Sequence, residues 1–217
     1  MKQDLTELIF ILDKSGSMHG LEADTIGGFN SMLAKQKEQA DECLITTVFF
    51  NHDYYLMHNR KDIKTVQDIS EKEYQTEGMT ALIDALGFTI HRVIKAQTSP
   101  DNTYHPNKVM VVIITDGEEN SSEEYRLHQV KSMIEKQKKE HGWEFIFLGA
   151  NIDAIETAEG FGIDANRAFD YHADQHGTAL NFRMMQEVVT EFRDRGVVDE
   201  SNLEEIRKYK KERENQD

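Results

Sequence analysis

Six short runs rich in apolar and β-branched residues, at 8–12, 44–50, 54–58, 109–115, 144–148 and 167–171, alternate with longer stretches of helical periodicity. The helical stretches fall near residues 21–40, 82–97, 123–141, 152–161 and 177–195. Alternation of this kind points to an α/β fold: an open, doubly wound, mostly parallel six-stranded sheet with helices on both faces. One connection breaks the pattern. Runs 44–50 and 54–58 are joined only by Asn51-His52-Asp53, too short for a crossover helix, so the strand at 54–58 must run antiparallel at an edge.

At 217 residues the chain is read as a single domain over 1–200, followed by a charged C-terminal helix or tail over 201–217. That tail is neutral: Arg207, Lys208, Lys210, Lys211 and Arg213 face Glu204, Glu205, Glu212, Glu214 and Asp217. The formal charge of −15 therefore belongs to the body and argues against a nucleic-acid partner, which needs cations to neutralise phosphates. Pro100 and Pro106 bracket a polar loop, and neither an internal repeat nor a Gly/Ser linker divides the chain. No stretch approaches the roughly 18 apolar residues of a membrane span. Asp4 and Glu7 remove the basic region of a secretory signal. With one cysteine, Cys43, placed before an apolar run and read as a packed thiol, a cytoplasmic location is expected. Nothing in the sequence specifies an oligomeric state.

The first apolar run ends in Asp13-Lys14-Ser15-Gly16-Ser17, which presents three hard oxygens from Asp13, Ser15 and Ser17 in one tight loop. Oxygens of this kind suit a small divalent cation. The most strongly buried-looking run, 109–115, passes directly into Asp116-Gly117. In an open parallel sheet, ligands bind beyond the carboxyl ends of the strands, where the winding direction reverses. Asp13 and Asp116 converge there if their strands are neighbours. Gly78 frees a further loop, and Thr80 stands where a helix begins, as its N-cap or as a ligand.

At these residues the sequence resembles the von Willebrand factor A domain with its metal-ion-dependent adhesion site. Asp13-Lys14-Ser15-Gly16-Ser17, Thr80 and Asp116 match every element of that motif. The resemblance runs over about residues 5–195. It is strongest to small stand-alone bacterial domains, partly through Phe147-Leu148-Gly149-Ala150-Asn151. It implies a sheet of about six strands with one antiparallel edge, and a metal held by Ser15, Ser17 and Thr80, with Asp13 and Asp116 acting mostly through bound waters. Neutral hydroxyls leave the ion's charge largely unquenched, so it favours a further anionic oxygen. Mg²⁺ suits such a site, with Mn²⁺ or Ca²⁺ as other oxygen-seeking candidates. The implied function is a non-enzymatic protein-binding module. A partner protein would complete the metal with an Asp or Glu, and adaptor to an ATPase or stress-response component are the implied roles.

Other features compete. His172 and His176 stand four apart, without a cysteine or acidic partner at zinc spacing. Glu118 and Glu119 are read as charges favoured by a helix N-terminus, with closure of the metal's sixth position as the lesser alternative. His52 and Asp53 read as turn residues. The apolar positions Leu180, Phe182, Met184, Met185, Val188, Val189 and Phe192 read as core first and as a switch element second. The rival function is a Mg-dependent phosphohydrolase with Asp13 as nucleophile. Against it, Ser15 stands where a second acid is needed, and no phosphate-binding Gly-x-x-x-x-Gly-Lys-Ser/Thr loop is present.

Overall fold

The computed structural model describes residues 5–150, 152–171 and 174–198. Asn151, His172 and the tail over 201–217 lie outside the described residues. Six strands form one sheet: β1 (Leu5–Asp13), β2 (Glu42–Phe50), β3 (Tyr54–Asp62), β4 (Lys108–Thr115), β5 (Glu144–Ala150) and β6 (Ala168–Tyr171). The helices between and after them are α1 (Glu22–Lys37), α2 (Leu82–Thr98), α3 (Leu127–His141), α4 (Ala154–Gly160) and α5 (Gln175–Arg195). The strand order is β3-β2-β1-β4-β5-β6, parallel except for the β2–β3 hairpin. The antiparallel edge is thus where the three-residue connection requires it.

β1 is buried along its whole length because it is central and covered on both faces. Strand alternation sends Leu8, Phe10 and Leu12 to one face, against Phe29, Met32 and Leu33 of α1 and Phe182, Met185, Val189 and Phe192 of α5. Ile9 and Ile11 point the other way, against Leu82, Leu86 and Ile90 of α2 and Val130 and Ile134 of α3. The stripe read as core in α5 is core, with Leu180 and Met184 half-buried at its margin. Cys43 is buried, and burial pushes its thiol up to about 12, which leaves it unreactive.

The winding reverses between β1 and β4. After β1 the chain builds β2 and β3 on one side, then returns to lay β4 on the other. Leu12 pairs with Ile114, so Asp13 and Thr115 end their strands side by side. Their carboxyl ends open on one crevice. Among the described residues, no helix is long and apolar enough to cross a membrane.

Candidate metal centre

Asp13 leaves β1 fully buried, with both carboxylate oxygens engaged. Ser15 N donates to Oδ1 at 2.7 Å, and Thr115 Oγ1 donates to Oδ2 at 2.5 Å. The first contact is an Asx turn that folds residues 13–15 back on themselves. Burial pushes the Asp13 carboxyl up to about 6; the Thr115 and Ser15 hydrogen bonds offset this only in part, and nearby Asp116 adds to it. Lys14 does not neutralise it. Its ammonium lies 3.7 Å from the centre of the Tyr55 ring.

Three hydroxyls converge beside these carboxylates. Ser15 Oγ and Ser17 Oγ are 3.0 Å apart, and Ser17 Oγ donates to Asp116 Oδ1 at 2.6 Å. Thr80 closes the third side. A Cβ built on Gly117 would lie 2.8 Å from Thr80 Oγ1, 3.0 Å from Ser17 Oγ and 3.7 Å from Ser15 Oγ. Glycine therefore leaves open a cradle lined by oxygen. Asp116 Oδ2 is buried there without a hydrogen-bond partner, and burial raises the Asp116 carboxyl above its ordinary range. Two desolvated carboxylates and an unpartnered acceptor are costly unless a cation joins them.

The donor set fits a hard divalent cation. Oxygens at about 2.1 Å from Mg²⁺ in octahedral array stand about 3.0 Å apart along each edge, close to the serine–serine separation. Imidazole and thiolate take no part. Among the described residues, no group of three or more His, Cys, Asp or Glu side chains is placed to hold a metal, and His176 is exposed on the first turn of α5. The five residues singled out in the sequence, Asp13, Ser15, Ser17, Thr80 and Asp116, thus come together, drawn from three loops.

Thr80 is not a helix cap: the N-cap of α2 is Ala81, which makes no side-chain cap bond. Instead Thr80 is held by its backbone, with Asn120 Oδ1 accepting from Thr80 N at 2.9 Å and Asn120 N donating to Thr80 O at 3.0 Å. Glu119 supplies the negative charge at the start of α2. Its carboxylate accepts from Ile83 N at 2.8 Å and also from Ser121 N, Ser122 N and Ser122 Oγ. It is fully engaged there, and Glu118 is exposed.

The residues that anchor these loops carry no motif of their own. Asn51, fully buried in the β2–β3 turn, donates its side-chain Nδ2 to Glu77 O at 2.9 Å and accepts at its backbone carbonyl from Ala81 N at 2.8 Å, which fixes the loop carrying Thr80. Gly78 in that loop has φ +77° and abuts the His52 ring, where a Cβ would come within 2.1 Å of Nδ1. Asp84 accepts from the backbone N–H groups of Glu123, Glu124 and Tyr125, tying the loop after β4 to α2. A buried polar residue in a tight turn was the only available signal for Asn51, and it is a weak one.

A family model described as the von Willebrand factor type A domain matches residues 7–182. Solved structures share the fold at low identity. The PilB minor pilin from Streptococcus sanguinis, as a D319A mutant, is 11% identical with a TM-score of 0.58, covering 87% of this chain and 62% of its own. Proximal thread matrix protein 1 from the mussel byssus, with a zinc-occupied MIDAS motif, is 14% identical with a TM-score of 0.58, covering 85% and 45%. A von Willebrand factor type A protein from Catenulispora acidiphila is 16% identical with a TM-score of 0.52, covering 84% and 42%. The chain thus spans between 42% and 62% of the length of these three structures. No curated protein sequence matches it.

Proposed function

The chain belongs to the von Willebrand factor type A family, and from that premise we propose that it is a non-enzymatic, metal-dependent protein-binding module. Ser15, Ser17 and Thr80 hold a divalent ion, Mg²⁺ in preference to Mn²⁺ or Ca²⁺, while Asp13 and Asp116 orient its waters and offset its charge. When bound, the ion supplies a Lewis-acidic position that an Asp or Glu of a partner protein can take. The oxygen-lined cradle beside Gly117, with the unpartnered Asp116 Oδ2 against it, carries this reading. The mussel protein with a zinc-occupied MIDAS motif supports it, since a relative of this fold uses such a motif for a metal.

Ser15 and Ser17 arrive on a loop tied at both ends. Lys14 N donates to Phe50 O, Gly16 N donates to Gly78 O, and Glu77 N donates to Lys14 O. The hydroxyls therefore stay convergent without the ion, which lowers the entropy lost on binding. A phosphohydrolase is disfavoured by the same geometry. Asp13 is fully buried with both oxygens hydrogen-bonded, so it lacks the open face an attacking nucleophile needs.

A cytoplasmic bacterial adaptor, serving an ATPase or a stress response, is the role we infer. Affinity capture from native lysate tests it, with Mg²⁺, with chelator, and with Asp13→Ala. Partners lost in both controls are site-dependent; an unchanged partner set overturns the proposal.

A further inference from the structure

A trough leads from the Thr80 corner of the site along one side of α2. Its near half encloses about 660 Å³ and is lined by residues including His52, Met79, Asn120 and Glu123. Its far half encloses about 740 Å³ and is lined by residues including Asn59, His91, Arg92 and Lys95. The halves share the lining residues Tyr54 and Phe88, so they adjoin at those two rings. The near end reaches the site because Asn120, which lines it, exchanges two hydrogen bonds with Thr80.

At the junction, Phe88 packs edge-on against Tyr54 and Tyr125, with ring centroids 5.6 and 5.1 Å apart. Phe88 nevertheless stays 38% exposed, and Met79 at the near end 56%. Beyond the rings, Arg92 and Lys95 lie one turn apart on α2, both exposed. Among the described residues neither is in an ion pair, although other exposed helix cations do pair locally, Lys35 with Glu38 at the end of α1 and Arg195 with Glu191 within α5. In a chain with 40 acidic and 25 basic residues, an unpaired cationic pair beside an exposed ring is a local reversal of the surface charge.

We propose that this trough is the docking track for the partner segment whose carboxylate completes the metal, an inference that rests on the metal-site reading above. The segment is an extended acidic peptide. One Asp or Glu meets the metal, an apolar or aromatic side chain covers Phe88, and a second acidic group meets Arg92 and Lys95. Aromatic and arginine side chains are the usual anchors of such interfaces. The fold sets the spacing. Phe88 and Lys95 lie about 9 and 20 Å along α2 from its first residue, Leu82, at 1.5 Å per helical residue, and Thr80 stands two residues before that start. An extended chain at about 3.3 Å per residue, with about one further residue to reach Thr80, covers those spans in about four and seven residues. The near half, with Asp53, Glu123 and Glu124 around it, disfavours acids between the anchors.

A random 12-residue phage-displayed library, selected on the wild-type protein with Mg²⁺, tests this. Enriched peptides should carry an acid, an apolar residue about four positions away, and a second acid about six or seven away. Arg92→Glu combined with Lys95→Glu should weaken a selected peptide about tenfold or more, and Phe88→Ser should do likewise. The charge reversal is a surface change, Phe88→Ser also removes the ring contacts with Tyr54 and Tyr125, and a cooperative melting transition in each variant verifies folding. Reselection on the charge-reversed variant should replace the distal acid by Lys or Arg while keeping the metal-binding acid. Peptides that need Mg²⁺ and Thr80 but ignore the charge reversal overturn the trough and leave the metal reading standing. Peptides indifferent to chelator and to Thr80→Ala contradict the metal reading itself. No enriched motif also overturns the trough.

Discussion

Gly117 decides what the cradle can hold. A methyl group there would stand 2.8 Å from Thr80 Oγ1 and 3.0 Å from Ser17 Oγ, in the space proposed for the ion. Gly117→Ala and Thr80→Ala are therefore expected to abolish the rise in melting temperature that Mg²⁺ gives the wild type. Saturation at a hundred times Kd corresponds to about 2.7 kcal/mol of stabilisation. Scanning calorimetry in Mg²⁺ and in chelator measures it, and a full Mg²⁺ response in Gly117→Ala would contradict the placement. A second residue carries a pH dependence. His58 is buried with Nδ1 3.0 Å from Thr47 Oγ1, and burial, aided by Lys61 and Lys37, pushes its imidazole down from 6.5 to about 4. The unfolded chain takes up this proton near pH 6.5, the native chain only near pH 4. The stability that the neutral imidazole supplies is therefore complete above pH 6.5 and is lost as pH falls toward 4. Wild type should lose on the order of 2 kcal/mol more than His58→Gln across that window in denaturant titrations; parallel curves would contradict it.

At the scale of elements, α1 and α5 meet at a contact with no room to spare. A Cβ on Gly28 would lie 2.3 Å from Phe182 Cδ2 and 2.8 Å from its Cβ, so Gly28→Ala must push the helices apart. An overpacking cost of about 1–3 kcal/mol is expected, measured by urea unfolding. The same pair is locked at its far end by Arg193, fully buried, whose guanidinium donates to both carboxylate oxygens of Asp41 at 3.0 and 2.8 Å and to Gln36 O. These elements were legible in the sequence because strand and helix periods are local: the runs at 44–50 and 144–148 recur as β2 and β5 with ends moved by two residues. Asp13, Ser15 and Ser17 were legible for the same reason, being one motif in one loop. The locks were not. Arg193 and Asp41 stand 152 positions apart, and Arg60, which pairs with the buried Glu7, stands 53 from it; no period or motif announces such contacts. Asp84 belongs with them, since the backbone groups it engages are fixed by how two loops pack; Glu119 was legible as a helix-start charge, but not that it serves α2.

The whole molecule carries −15 and yet is proposed to bind an acid. The two fit because coordination is local while exposed charge is screened beyond about 8 Å at physiological salt. Encounter with an acidic partner is slowed by like-charge repulsion, so the association rate should rise with ionic strength. Stopped-flow association of the captured partner between low and physiological salt reads this, and a steep fall in rate would contradict it. Fold and charge together place the opening of the site at the carboxyl edge between β1 and β4, where the chain reverses its winding. The metal at this cradle is tested most directly by a crystal structure grown with Mn²⁺ and acetate, read by anomalous scattering. One manganese peak is expected within direct bonding distance of Ser15 Oγ and Ser17 Oγ, beside Thr80 and Gly117, with an acetate oxygen completing the coordination. Absence of metal from that cradle at millimolar Mn²⁺, or a manganese held elsewhere by carboxylates and histidines, would contradict it.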